Sequence, residues 1–251
     1  MVNLDELRKK YEEVTSPPGQ GNNTAFLKKF LITKEGTSVV RILPWKDEDK
    51  EFYAETAIHR IERDGQFKNY HCPRTKGDSC PICDVYFGLW KTENEANHNL
   101  ARKIKARKRF YLNAVDRDSS EVKILSMGQK LFGKILDCFF DEDYGDLTDV
   151  KAGWDFKVIK DMTGPFPNYD KSLPKPQQTP AGTDAEVATW MDELHDIHNL
   201  VKIQEYNELK QVALEIESIS KGITMVSDDS PSNTNSTDDD YLSHLKNLKT
   251  D

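Results

Sequence analysis

Residues 59–83 read HRIERDGQFKNYHCPRTKGDSCPIC and hold three of the chain's four cysteines beside two histidines. The stretch continues a strand-like run, FYAETAIHRIER (52–63), turns at Asp64-Gly65, and returns as QFKNYHC (66–72). Two such runs joined by Asp-Gly predict a hairpin, because both central residues of that tight turn take a positive φ. Cys80 and Cys83 follow as CPIC, a spacing that lets one turn of chain present two thiolates to one ion; Cys72 lies eight residues before them. A fourth ligand completes a zinc tetrahedron, and His59 and His71 compete for the place. Neighbouring side chains on a strand point to opposite faces, so His71 and Cys72 are badly placed to ligate together. The hairpin instead brings His59 beside residues 70–72. Strand geometry therefore favours His59, Cys72, Cys80 and Cys83 over the set containing His71.

Such a site reads as structural. Zinc nucleobase deaminases carry H-x-E and then P-C-x-x-C, with the Glu as proton shuttle. Here Arg60, Ile61 and Glu62 follow His59, so the Glu stands one place too far, and Ser79 rather than Pro precedes the CPIC knuckle. Four protein ligands also leave no open position for water. No metalloprotease, Walker or serine-elbow motif is found, so the chain is not expected to be an enzyme. A cysteine cluster of this kind does not resemble a disulfide scaffold. His195 and His198, in HDIH, have helical spacing but no third ligand nearby and are expected to face solvent. Cys138 is expected to be an apolar residue of an amphipathic helix.

The 251 residues carry 11 Phe, 9 Tyr and 4 Trp, enough for a packed core at 37% hydrophobic content. No apolar run approaches the roughly 20 residues a membrane helix needs. The N-terminus, MVNLDELRKKYEEV, is charged and lacks an apolar signal core, which predicts a soluble, non-secreted protein. The net charge of −8 argues against a nucleic-acid partner only on average. In LARKIKARKRFYLN (100–113), Arg102, Lys103, Lys105, Arg107, Lys108 and Arg109 stand with no acidic residue among them, and Phe110 and Tyr111 follow at once. Single strands present phosphates and unstacked bases together, and cations beside aromatic faces suit both. Read blandly, the same run is a solvated basic loop or helix face.

Outside these segments, residues 3–14 predict a short charged helix and TSPPGQGNNT (15–24) a linker. Strands are expected over 38–45 and 153–162, and a second hairpin over 108–117 and 121–128. Helices are expected over 81–93 and 128–140, and a Pro-rich loop over 163–182. A helix beginning at Thr183 or Asp184 places Val187, Trp190, Met191, Leu194 and Ile197 on one face, and YNELKQVALEIESI predicts another. The acidic stretch after Gly222 is expected to be a disordered tail. Many short strands with an intervening helix suit a small β-barrel with decorations, for which an OB-type barrel is one candidate among several.

The chain resembles the helix-destabilising single-stranded-DNA-binding proteins of T-even-like bacteriophages over about residues 25–220. The likeness rests on VVRILPW (39–45), the His59–Cys72–Cys80–Cys83 spacing with DSCPIC, the basic run into FYLN, MGQKLFGKI (127–135) and FPNYDKS (166–172). It implies a mainly β fold with α elements: an OB-fold barrel in a core of 25–222, an inserted zinc subdomain of about 55–95, and C-terminal helices. An N-terminal arm and linker would take 1–24 and the acidic tail 223–251. It also implies one structural zinc and a positively charged cleft for single-stranded DNA, bound sequence-independently and cooperatively during replication, recombination and repair. Carried over residue by residue, the ligands fall on the four residues above. The cleft falls on Arg107, Lys108 and Arg109, with Arg102, Lys103 and Lys105 before them and Phe67, Phe110, Tyr111, Phe166 and Tyr169 as aromatic partners. Arg41 is expected to contact a phosphate. Self-association would use Arg8, Lys9 and Lys10, although acidic residues flank them here, and the family's aromatic positions are lost at Leu125 and Asn94. Partners would be neighbouring copies along the strand, and replication and recombination proteins through the tail, with no membrane. In the tail, Tyr241, Leu242, Leu245 and Leu248 are spaced as a short helix that folds on a partner. The setting would be the cytoplasm of an infected bacterium. The alternative is a zinc-stabilised protein-binding adaptor of a replication complex.

Overall fold

The structure, a computed structural model, describes residues 26–47, 49–63, 65–164 and 166–227. The helix expected over 3–14, the linker, Arg8, Lys9, Lys10 and the tail after 227 lie outside the described residues. Two compact units are formed, one from the described residues up to Ser79 with Ala106–Gln204, the other from Cys80–Lys105 with the described residues from Glu205 onward.

The first unit is built on a seven-stranded antiparallel sheet. Its strands are β1 (Gly36–Ile42), β2 (Tyr53–Arg63), β3 (Gln66–His71), β4 (Arg107–Asp116), β5 (Glu121–Gly128), β6 (Gly153–Lys160) and β7 (Leu173–Thr179). The order is β3-β2-β4-β1-β6-β7, with β5 also on β4. Strand β4 organises the sheet. One edge pairs with β5 over its length, while the other is shared, Arg107–Leu112 going to β2 and Ala114–Asp116 to β1. A strand flanked on both edges and covered on both faces is buried from Phe110 through Val115, which is why FYLNAV has no polar alternation.

Helix α3 (Gln129–Phe140) follows β5 and lays Leu131, Phe132 and Ile135 onto the sheet. Phe132 stacks on Phe110 at 4.0 Å between ring centroids, within a core shared with Ile42, Leu112, Leu125, Phe156 and Val158. The β2–β3 hairpin matches expectation, with Arg63 opposite Gln66 and Gly65 at φ +72°.

Two expectations need correction. The Pro-rich stretch 163–182 is not all loop, because Leu173–Thr179 pairs with β6. Pro174 and Pro176 are tolerated there because β7 is the last strand of the sheet and needs ladder hydrogen bonds on one side only. The helix beginning after Thr183 stops early: α4 spans Asp184–Asp192, with Thr183 and Glu186 forming a capping box. Beyond it, the chain is held in non-helical form by Asn113, whose side chain bonds both the amide and the carbonyl of His195. Of the two bland alternatives for the run before β4, loop or helix face, its first part is helix: Asn94 caps a helix whose last turn carries Arg102 and Lys103.

The second unit packs three helices, α1 (Pro81–Trp90), α2 (Glu95–Ile104) and α5 (Tyr206–Ser227). Helix α5 buries Leu209, Val212, Ala213 and Ile216, one helical stripe. Among the described residues, no helix is long and apolar enough to cross a membrane.

Candidate metal centre and nucleic-acid interface

The hairpin register decides which histidine can join the cysteines. His59 stands opposite Tyr70, and Ile58 opposite His71. Residues directly opposite share a face, so His59, Tyr70 and, two residues on, Cys72 look one way while His71 looks the other. The Cys72 amide donates to the Ala57 carbonyl at 2.8 Å, which extends the ladder to the ligand. Pro73–Lys76 then makes a 3-10 turn closed by Gly77 at φ +87°, a conformation only glycine adopts cheaply. Cys80 is the N-cap of α1, and Cys83 lies in its first turn.

The outcome is a buried group of His59, Cys72, Cys80 and Cys83, with one donor atom from each lying within 4.8 Å of the others. A zinc tetrahedron with ~2.3 Å Zn–S bonds sets its sulfurs roughly 3.8 Å apart, so this constellation fits a single ion of that kind. Among the described residues no disulfide is formed. His71 is occupied elsewhere: its Nδ1 lies 3.2 Å from Thr56 Oγ1, and its amide donates to Gln204 Oε1 at 2.9 Å. Gln204 also donates to the Asn69 carbonyl, so its side-chain amide seals this part of the β3 edge. Burial lowers the His71 pKa, which favours the neutral ring.

The other face of the same strands carries the cations. Arg107 lies opposite Ile58, Arg109 opposite Thr56, Asn69 opposite Arg60 and Phe67 opposite Glu62, so Arg60, Phe67, Asn69, Arg107 and Arg109 share one side. All five are exposed. The Arg60 guanidinium lies 4.2 Å over the Phe67 ring, a cation–π contact between diagonal neighbours. Arg60 was not expected at this site. Counting parity back from the Asp64-Gly65 turn was the signal that could have found it. Lys108 points to the opposite face and pairs with Glu55 at 2.6 Å, so the run Arg107–Arg109 is split by strand alternation.

The remaining cations sit on or just after α2. Arg102 pairs with Glu95 at 2.9 Å and lies 5.5 Å over the Trp90 ring, whose neighbour His98 stacks at 4.7 Å. The hydrogen bond and charge of Arg102 hold the Glu95 carboxyl below its ordinary range. Lys103 and Lys105 are exposed at the helix C-terminus, where the dipole favours positive charge.

Several expected contacts fall elsewhere. Phe110 and Tyr111 are 5% and 7% exposed, so both are core residues and offer no stacking face. Burial, opposed by the Arg109 charge, raises the Tyr111 pKa. Arg41 is fully buried and paired with Asp155, so it is no surface phosphate contact. Phe67 and Phe166 are exposed at 58% and 77%, while Tyr169 is half-buried against the core. Of the two positions noted as lost aromatics, Leu125 is core and Asn94 caps α2. His195 and His198 are half-buried and not helical; each ring nitrogen Nε2 lies 3.0 Å from a backbone carbonyl, that of Val122 and Glu51 respectively.

The sequence is similar to known proteins in two comparisons. A family model described as gp32 DNA binding protein like matches residues 34–220. The single-stranded DNA-binding protein of Enterobacteria phage T2 is 27% identical over 154 residues, which is 55% of this chain and 49% of that protein. That of Enterobacteria phage T4 is likewise 27% identical over 154 residues and is covered over 50% of its length. The chain spans about half the length of the curated relatives it matches. With three quarters of its residues inside the family match, the chain belongs to the gp32-like DNA-binding protein family.

Proposed function

We propose that this chain binds single-stranded DNA without sequence preference, through the exposed face on which Arg60, Phe67, Arg107 and Arg109 stand together. That shared face is the observation that carries the reading. Cations neutralise phosphates and release counterions, and an exposed ring stacks on an unpaired base. Duplex DNA keeps its bases stacked on one another, so a surface of this kind favours the single strand and destabilises duplex by mass action, without ATP. Phe166 and Tyr169, and in the second unit Arg102, Lys103 and Lys105, are proposed as further DNA contacts, with Lys108, on the opposite face of β4, in a lesser part. The family match and the two phage relatives support the reading.

One zinc ion is proposed for His59, Cys72, Cys80 and Cys83, supported by the buried, closely spaced donor set. A bound zinc would supply closed, structural coordination with no catalytic position. The hairpin residues make it useful to binding: the strands that present Arg60 and Phe67 on one face carry His59 on the other.

The finer organisation belongs to the same proposal. It comprises an OB-type barrel in the core, a zinc subdomain at about 55–95, cooperative coating of transient strands through Arg8, Lys9 and Lys10, and recruitment of replication, recombination and repair proteins by the acidic tail, in an infected bacterial cytoplasm. The test is a fluorescence titration with poly-thymidine against duplex across salt concentrations. Preferential, salt-sensitive binding of poly-thymidine is expected. Equal affinity for both, or none for either, would overturn the reading in favour of a zinc-stabilised protein-binding adaptor.

A further inference from the structure

Arg60 stands in the middle of the exposed face, between the β4 cations and the aromatic residue of the hairpin. Its neighbour on that face of β2, Ile58, opposes Arg107, and its own partner on β3 is Asn69. Phe67, the next β3 residue on the same side, is its diagonal neighbour and is 58% exposed. A carboxylate is also at hand: Glu62 is exposed two residues along β2, directly opposite Phe67. Among the described residues, no ion pair joins Arg60 to it. The guanidinium lies instead over the Phe67 ring, its central carbon 4.2 Å from the centroid.

That contact changes what the face presents. One side of the Phe67 ring is covered, so a base arriving there meets Arg60 and not the ring. A guanidinium is planar and weakly hydrated, and unpaired nucleobases stack on it as they do on aromatic side chains. Resting on a ring that a strand ladder holds in register, it has less freedom to lose on binding than an arginine alone in solvent. Charge for the phosphates is supplied separately by Arg107 and Arg109, exposed on the neighbouring strand.

We propose, on the reading of this chain as a single-stranded-DNA binder, that Arg60 is a stacking residue and not a phosphate contact: its guanidinium, carried on Phe67, receives an unpaired nucleobase on its outer plane. Phe67 then acts through Arg60, as a positioning residue beneath it. A sandwich of ring, guanidinium and base uses no base-edge hydrogen bond, so it accepts any base but requires one that is unpaired. Lysine is a poor substitute at such a position, because an ammonium carries the same charge without the plane.

The experiment measures binding of a thymidine oligonucleotide, and of an abasic oligonucleotide with the same number of phosphates, to the full chain and to Arg60→Lys, Phe67→Leu and the double variant Arg60→Lys/Phe67→Leu, at several salt concentrations. Both side chains are exposed, and thermal midpoints check that folding is retained. Loss of a base stack corresponds to about fivefold or more in affinity. Arg60→Lys should weaken thymidine binding by about that factor, with the salt slope unchanged, and should leave abasic binding as it is. Phe67→Leu should act in the same direction, and in the Arg60→Lys background should cost little further. Thymidine binding by Arg60→Lys equal to that of the unaltered chain makes Arg60 a simple charge and overturns the proposal alone. An equal loss on both oligonucleotides does the same, as does a full Phe67→Leu loss persisting in the Arg60→Lys background, which assigns the stacking to the ring itself. Failure of the unaltered chain to bind the thymidine oligonucleotide overturns the underlying reading and this proposal with it.

Discussion

Arg41 on β1 and Asp155 on β6 stand directly opposite each other, and Arg41 Nε donates to Asp155 Oδ1 at 3.1 Å with the guanidinium fully buried. The same carboxylate takes Arg117 at 2.7 Å and Lys175 at 3.2 Å, so three cations share one anion. Thr179 absorbs part of the excess, its hydroxyl accepting Arg41 Nη2 at 2.8 Å beside the bond to its carbonyl. Gly153 is required alongside, since a Cβ there would lie 2.7 Å from Arg41 Nη1 and 2.3 Å from the Asp149 carbonyl oxygen.

The two partners should therefore behave asymmetrically on mutation. Asp155→Ala leaves Arg41 and Arg117 facing each other without an anion and should cost about 3–5 kcal/mol, the usual penalty for orphaning a buried charge. Arg41→Met leaves Asp155 still held by Arg117 and Lys175 and should cost clearly less. Urea denaturation of both variants checks the order. Burial alone would raise the Asp155 pKa, but the hydrogen bonds and charges of Arg117, Arg41 and Lys175 outweigh it and hold the group below its ordinary value. Its contribution is therefore full above the unfolded value of 3.8 and is lost as pH falls through the lower folded one.

Metal content separates the two histidines. The unaltered chain should carry a single zinc ion per molecule, measured by elemental analysis after gel filtration. His59→Ala should lose it, because His59 shares the face of Cys72. His71→Ala should keep it, because His71 faces away and engages Thr56 and Gln204. Chelation of the unaltered chain should lower its thermal midpoint, since binding energy at such a site is folding energy.

The grouping of His59 with the three cysteines was legible because its information is local: a two-residue turn fixes register, register fixes parity, and parity selects His59. The hairpins and the helix over 129–140 were legible for the same reason, each having its own period. What failed depended on partners distant in sequence. Whether Phe110 and Tyr111 are stacking platforms or core depends on β2, β5 and α3 covering β4, and no feature of KRFYLN itself reports that. Arg41 reads as a surface cation until Asp155, supplied from far along the chain, appears beside it. Strand β7 was hidden by its prolines, which an outermost strand accepts.

Salt dependence should sort the basic run by face. Arg107→Ala and Arg109→Ala should each reduce the slope of log K against log salt for poly-thymidine by about 0.7, one phosphate apiece. Lys108→Ala should change it less, because Lys108 points the other way and pairs with Glu55. Phe110→Ala should leave the slope alone and instead cost about 3–5 kcal/mol of stability, as a large buried ring does when removed. Titrations at several salt concentrations, beside denaturation curves, distinguish the two kinds of effect.

Acid should weaken the fold through His195. Its backbone is pinned by the Asn113 side chain, and its Nε2 donates to the Val122 carbonyl at 3.0 Å. Burial lowers its pKa, and the Lys29 and Lys123 charges push the same way against that carbonyl. The folded state thus prefers the neutral ring, while the unfolded chain takes up a proton near pH 6.5. Stability from this group is full above that value, declines as pH falls through it, and levels off below the folded value. His195→Gln keeps a donor for Val122 but cannot titrate. Urea midpoints measured from pH 7 to pH 5 should fall less steeply for His195→Gln than for the unaltered chain. The difference should be modest, because the ring is only half-buried and solvent screens its new charge.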